Sequence, residues 1–243
     1  MMETVLITGA ARRLGRLIAE DLAKDGCHVW VHYLTHEEEA RQLCLEIRKN
    51  GGQADRVRAD LADIDQIDRM LADIQNSEHG CLTALINNAS VFPRGTIRQT
   101  APDAWDRTMN INLKAVWYLS SRFAELFPTA GQIITIGDAG TGNLMPGHAV
   151  YALSKHALKF LTEQMAEAFA PAIRVNLLSP GLVLRGEGEP EEIWKKRREK
   201  SLLNNDAIAD SVLDGIRFLM KNPGITGSEL IVDNGSRFGT KLK

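Results

Sequence analysis

Short β-branched or apolar runs alternate along the chain with longer stretches in which apolar side chains recur every three or four positions. Val5-Leu6-Ile7, Val29-Trp30-Val31 and Arg56-Val57-Arg58-Ala59 read as the first three strands. Ala84-Leu85-Ile86, Ile133-Ile134-Thr135-Ile136, Val175-Asn176-Leu177-Leu178 and Leu230-Ile231-Val232 read as four more. Between the first two, Leu14, Leu17, Ile18 and Leu22 mark one apolar stripe of a helix. Comparable spacing predicts helices over about 37–50, 64–75, 103–126, 149–169 and 206–221. Strand and helix alternating in this order predict an α/β fold, a single doubly wound parallel seven-stranded sheet with helices on both faces. No Pro/Gly/Ser-rich linker and no solenoid repeat interrupts the 243 residues, so 1–243 read as one domain.

Residues 181–204, GLVLRGEGEPEEIWKKRREKSLLN, break the rhythm after a strand. KKRR alone suggests a nucleic-acid patch, but Arg185 to Lys200 hold six basic and five acidic residues, a local charge of only +1. One reading is a short solvated helix, acidic near its N-terminus and basic near its C-terminus, as the helix dipole favours. The other is a substrate lid beyond the carboxyl end of a strand, where open α/β sheets bind ligands. The two are compatible. Trp194 would either cover the substrate or anchor the lid helix to the body.

Composition narrows the function classes. A net charge of -2 with 25% charged residues gives no basic footprint for nucleic acid. No apolar run reaches the roughly 18 residues of a membrane span. Met1-Met2-Glu3-Thr4 runs straight into a strand, so no export signal is expected. Cys27, Cys44 and Cys81 form no C-x-x-C pair and read as buried, inert thiols of a cytoplasmic protein.

Thr8-Gly9-Ala10-Ala11-Arg12-Arg13-Leu14-Gly15 occupies the first strand-to-helix turn, where a pyrophosphate meets a helix N-terminus. Gly9 suits the tight turn and Gly15 the close packing of helix on strand. NAD-binding folds usually carry an acid at the end of the second strand to bind the ribose hydroxyls. Here that stretch reads Val31-His32-Tyr33-Leu34-Thr35-His36, and the first acid is Glu37. A carboxylate that would repel a 2′-phosphate is missing, and Arg12 and Arg13 are placed to bind one, with His32, Thr35 and His36 as further donors. The expected cofactor is NADP(H). No metal site is expected, because His32 and His36 at a strand end share no helix face and lack a nearby Cys or Asp partner.

Tyr151-Ala-Leu-Ser-Lys155 places a phenol and an ammonium on one helix face. The ammonium is expected to lower the tyrosine pKa and make it a usable acid or base. With T-G-x-x-x-x-x-G at Thr8–Gly15, Asp60, Asn87-Asn88-Ala89, Asn112 in N-I-N-L-K and Pro180-Gly181, the chain resembles the short-chain dehydrogenase/reductase family over essentially its full length. The resemblance implies that Tyr151 donates the proton, that Lys155 binds the nicotinamide ribose and tunes Tyr151, and that Asn112 holds a water of the proton relay. It implies that Asp60 contacts the adenine, and that Leu14, Tyr33, Leu61, Asn88, Ala89, Pro180 and Gly181 complete the cofactor site. A homotetramer is implied by the resemblance alone.

Two positions depart from that family pattern. Arg13 stands at the middle glycine of the fingerprint, and Asp138 stands where a serine is usual, 13 residues before the tyrosine. A serine hydroxyl holds a substrate carbonyl. A carboxyl group instead suits a substrate with ring nitrogens and an amino group, accepting from the amine or protonating a C=N nitrogen as hydride arrives. Both departures, with His32-Tyr33 and N-A-S-x-F at Asn88–Phe92, resemble the pteridine reductase branch, which includes dihydromonapterin reductases. That resemblance implies that Phe92 stacks on the pterin, where the plain reading is a core phenylalanine, and that Ser90 and Arg13 face cofactor phosphate or pterin. Asp138 and Tyr151 would supply protons, and Gly181 and Val183 would line the substrate. The expected activity is NADPH-dependent reduction of a dihydropterin, dihydromonapterin or dihydrofolate. The alternatives are a carbonyl reductase of a ketoacyl thioester, sugar or other ketone, and a catalytically silent NADP(H)-sensing module.

Overall fold

The computed structural model describes residues 3–128, 131–203 and 208–239. Seven parallel strands form one sheet: β1 (Thr4–Ile7), β2 (His28–Tyr33), β3 (Gln53–Arg58), β4 (Ala84–Asn87), β5 (Gly131–Ile136), β6 (Ile173–Pro180) and β7 (Glu229–Val232). Their order is β3-β2-β1-β4-β5-β6-β7. The chain therefore winds outward from β1 in one direction, then returns and winds from β4 in the other. The carboxyl ends of β1 and β4 diverge at this switch point and open a crevice.

Alternate residues of each strand feed two cores, because successive strand side chains point to opposite faces. Val5, Ile7, Val29 and Val31 face one side, with Ile18 and Leu22 of α1 (Arg13–Lys24), Leu43 and Ile47 of α2 (Glu37–Lys49) and, near the chain's end, Ile216 of the helix at Ile208–Lys221. Leu6, Trp30, Leu85 and Ile133 face the other, with Ile67 and Leu71 of α3 (Ile64–Gln75) and residues of two later helices. Burial on both sides explains why these strands read as continuous apolar runs. Helix ends follow local chemistry: Asp63 caps α3 by accepting from the Asp65 and Gln66 amides, and Gln66 returns a side-chain bond to Asp63.

The predicted helix at 103–126 is α4 (Pro102–Met109) and α5 (Ala115–Leu126) joined by a π turn, Asn110–Lys114. There the Ala115 amide donates to the Asn110 carbonyl, five residues back. Single π turns inside α-helices concentrate at functional sites, and this one carries Asn112. Next come α6 (Ala149–Phe169) and α7 (Glu191–Arg198), and the final helix, α8, is Ile208–Lys221. Positions 204, 206 and 207 of the expected lid and last helix lie outside the described residues. α7 matches the dipole reading: Glu191 and Glu192 open it, Lys195 to Arg198 close it, and none of its residues is buried. Cys27 and Cys44 are buried as expected, but Cys81 is exposed, which corrects the reading of three buried thiols. Cys81 precedes β4 in a connecting loop, where no core face encloses it. Among the described residues no helix is long and apolar enough to cross a membrane.

Gly15 and Arg13 sit two residues apart under opposite constraints. A Cβ at Gly15 would lie 2.4 Å from the Gly9 carbonyl oxygen and 2.9 Å from the Ala10 Cα, so only glycine lets α1 start against this loop. Arg13 holds φ +54°, the left-handed region in which glycine is unstrained and most other residues are not. Gly15→Ala should therefore lower stability by about 1–3 kcal/mol, while Arg13→Gly should change it by no more than about 1 kcal/mol. Urea unfolding of the two variants checks both expectations.

Candidate active site

The crevice is fastened at its base by Thr8 and Asn88. The Thr8 hydroxyl donates to the Ile86 carbonyl (3.4 Å) and accepts from the Asn88 and Ala89 amides (2.9 and 3.0 Å). The Asn88 amide group donates back to the Thr8 carbonyl at 2.8 Å and to the Gly9 carbonyl at 3.2 Å. Gly9, at φ +62°, turns the chain beneath Ala89, whose Cα would lie 3.0 Å from any added Cβ.

His32 steadies this loop from the side. Its Nδ1 accepts from the Gly9 amide (3.0 Å) and its Nε2 donates to the Ala59 carbonyl (3.1 Å). Burial pulls its pKa down to about 4, against the opposing pull of the Ala59 bond, so the ring is neutral. The expectation that His32 offers a donor to phosphate is corrected, since both nitrogens are committed to backbone groups. Tyr33 is a core residue whose edge reaches the cavity wall. Thr35 and His36 are exposed at the carboxyl end of β2, and Arg12 donates to His36 Nε2 at 3.1 Å.

The two arginines also reach the far side of the crevice. Arg12 forms an ion pair with Glu187, and Arg13 donates to the Arg185 carbonyl at 3.1 Å. Residues 185–187, within the segment after β6, thus lie across the mouth, joined to the loop after β1.

Deeper in, Tyr151 and Lys155 occupy the first two turns of α6 and are both buried. The Tyr151 hydroxyl donates to Asp138 Oδ2 at 2.6 Å, and Asp138 Oδ1 accepts from the Gly140 amide at 2.7 Å. Asp138 is held by that cap and by its place just after β5. Burial, the Asp138 charge and the bond to Asp138 raise the Tyr151 pKa well above its ordinary value. The expected lowering by Lys155 is therefore corrected: the carboxylate and desolvation dominate, and the phenol stays protonated. Lys155 Nζ donates to the Ile136 carbonyl at 2.7 Å, and burial pushes its pKa down to about 8 although Asp138 opposes the shift.

Asn112 is buried behind this group. It accepts from the Val91 amide (2.9 Å) and the Ser90 hydroxyl (3.2 Å), and donates to the Val91 carbonyl (3.0 Å) and Ser154 (3.1 Å). These four bonds fill the capacity of a side-chain amide. The side-chain amide therefore ties the 90–91 loop to α6. Phe92 follows that loop and is 56% exposed, so it is not a core residue. Its ring stacks on His148 (3.9 Å, 11°) and meets the Tyr151 ring edge-on at 4.5 Å.

A cavity of about 600 Å³ unites these parts. Its wall includes Gly9, Arg12, Arg13, Leu14, Gly15, His32, Tyr33, Thr35, Asp60, Leu61, Asn88, Ala89, Ser90, Asp138, Tyr151, Pro180, Gly181 and Val183. Asn112 and Lys155 lie behind that wall, and Phe92 touches it through Tyr151. Glu187, Leu184 and Arg107 also line it, and His148 backs Phe92, none of them predicted. Glu187 was legible only as one charge among many; nothing in its spacing ties it to Arg12. Trp194 lines a separate cavity with Leu182, Leu203 and Asp233 rather than the crevice.

Known proteins resemble this chain in sequence and fold. The family model described as enoyl-(acyl carrier protein) reductase matches residues 9–237. The 3-oxoacyl-[acyl-carrier-protein] reductase of Staphylococcus aureus is 31% identical over 244 residues, 97% of this chain and 98% of that one. Among solved structures, FolM alternative dihydrofolate reductase 1 from Brucella canis, complexed with NADP, superposes with a TM-score of 0.92 at 30% identity, covering 99% of this chain and 96% of that one. The angucycline C-6 ketoreductase LanV with bound NADP gives a TM-score of 0.89 at 28% identity, covering 98% and 96%. With the glycine loop, the Asn-Asn-Ala turn and the Tyr151–Lys155 pair assembled around one crevice, the chain belongs to the short-chain dehydrogenase/reductase family.

Proposed function

We propose that this protein is an NADPH-dependent reductase that transfers hydride to a C=N bond of a pterin, such as a dihydropterin, dihydromonapterin or dihydrofolate. The observation that carries the reading is the 2.6 Å bond between the Tyr151 phenol and Asp138, beside the half-exposed Phe92 ring. The likeness to a dihydrofolate reductase complexed with NADP supports it. Residues 1–243 act on this reading as one NADP(H)-binding domain, with the segment from 181 as its lid.

The crevice suits the cofactor. The N-terminus of α1, with Gly9 and Gly15, takes the pyrophosphate. Arg12 and Thr35 take the 2′-phosphate at an end of β2 free of carboxylate until Glu37. Asp60 and Leu61 flank the adenine, Lys155 the nicotinamide ribose, and Asn88 to Ser90 with Pro180 and Gly181 the nicotinamide. NADPH, when bound, supplies the hydride. Phe92 offers a flat apolar face for the pterin ring. Asp138 accepts from the ring's N–H and amino groups, and the protonated Tyr151–Asp138 pair delivers a proton to the ring nitrogen as its carbon gains hydride.

Carbonyl reduction is the second reading, favoured by the likeness to an oxoacyl reductase and a ketoreductase. Following NADPH oxidation with dihydropterins and with a ketone panel separates the two. Pterin turnover is expected, and Asp138→Ser should reduce it about 100-fold or more. Turnover of ketones alone, or carbonyl activity raised by Asp138→Ser, would overturn the pterin reading.

Glu187 holds the guanidinium that the 2′-phosphate requires. Glu187→Gln should therefore tighten NADPH binding several-fold without a matching change for NADH; fluorescence titration with both cofactors reads this, and equal effects would dismiss the competition.

Lys155 adds a pH dependence. Its ammonium is held to about pH 8, so kcat/KM should fall as pH rises through that value and the cation is lost. Lys155→Arg, whose guanidinium stays charged, should move this limb to higher pH; an unmoved limb would assign it to another group.

A further inference from the structure

The opposite end of the sheet carries a second group of chemistry-bearing side chains. His28 is the first residue of β2, Asp55 the third of β3, and His79 lies in the loop between α3 and β4. His28 pairs with Gln53 in the parallel register, so Asp55, two residues on, points to the same face. His28 Nε2 and Asp55 Oδ2 are 2.9 Å apart, and the His28 and His79 rings lie 4.2 Å apart at a tilt of 32°. One nitrogen from each histidine and one Asp55 oxygen all fall within 4.8 Å of one another. The cavity at the carboxyl ends of the strands uses none of these residues.

We propose that His28, Asp55 and His79 form a binding site for a divalent transition-metal ion of the zinc type. Two imidazoles and a carboxylate are a characteristic ligand set for such an ion, with the remaining position open to water. Donors about 2.0–2.2 Å from a tetrahedral zinc stand roughly 3.3–3.6 Å apart, so the 2.9 Å His28–Asp55 pair opens slightly while His79 settles into place. His79 is the ligand able to move, because it belongs to a loop rather than a strand. That loop is already held over the sheet by its own carbonyl, which accepts from Trp30 Nε1 at 3.4 Å.

The His28 ring is 1% exposed and already turns its Nε2 to Asp55, so this pair of ligand atoms is fixed on two strands before any ion arrives. Arg48 forms an ion pair with Asp55 through Oδ1, leaving Oδ2 toward the histidines and orienting the carboxylate from outside. A bound ion would staple the α3–β4 loop to the outer edge of the sheet, far from the reaction.

Chelator-stripped, untagged full-length protein titrated with Zn²⁺ alone, by calorimetry and by competition with a chromogenic chelator, tests this. One ion per chain is expected at micromolar affinity or tighter. His79→Ala and Asp55→Asn, checked for native circular dichroism, should each weaken binding at least tenfold. Cys81→Ser, which removes the exposed thiol nearby in sequence, should leave it unchanged. Zn²⁺ should raise the thermal midpoint of the parent protein but not of His79→Ala. Absence of stoichiometric binding, binding that survives His79→Ala, or binding that disappears with Cys81→Ser would each overturn the proposal.

Discussion

Everything at the crevice depends on the clasp between Thr8 and Asn88. Parallel strands with divergent connections leave the carboxyl ends of β1 and β4 as two independent loops. Thr8 and Asn88 join them through five hydrogen bonds, mostly to backbone groups that would otherwise be orphaned at a strand end. His32 extends the clasp to the end of β3, and Asn112 extends it to α6. The floor of the crevice is thus one continuous polar network, and each loop is positioned by its neighbour. Such networks specify geometry because leaving any member unpaired in a buried site costs about 1–3 kcal/mol.

Within that frame, Tyr151, Asp138 and Lys155 show how a low-dielectric setting distributes protons. Desolvation opposes charge on both Tyr151 and Lys155, and Asp138 opposes it further on the phenol while favouring it on the lysine. The outcome is a neutral phenol beside a carboxylate rather than a phenolate beside an ammonium. The same helical spacing of tyrosine and lysine therefore serves a different balance once the residue after β5 is acidic.

The fold was readable because the central strands are buried on both faces and their apolar runs are uninterrupted, while β3 at the sheet edge alternates buried and exposed positions. Helix positions followed from apolar stripes such as Ile18 and Leu22, both fully buried. Site glycines were readable because a Cβ at Gly15 has nowhere to go. What escaped were contacts between distant segments. Glu187 meeting Arg12, and His148 stacking on Phe92, join residues with no periodic relation in the chain. His32 reads as a further phosphate donor at a strand end, yet it is buried with both nitrogens engaged. The π turn escaped for another reason: its residues keep an ordinary helical composition, and only the hydrogen-bond register changes.

That π turn makes the length of the α4–α5 helix as consequential as any side chain in it. A turn closed five residues back holds one more residue than its neighbours, and Asn112 faces α6 because of that surplus. Removing a single residue anywhere between Pro102 and Leu126 would let the turn relax into regular α register. The residues between the cut and the turn would then rotate by about 100° around the helix axis. A cut beyond Phe123 would carry that ring out of the core, and a cut before Asn112 would turn its side chain away from Ser154. The surplus residue is thus locked in from both sides, by packing below and by the polar network above. Among homologous chains, gaps should accumulate in the loops before α4 and after α5 while this stretch keeps a constant count.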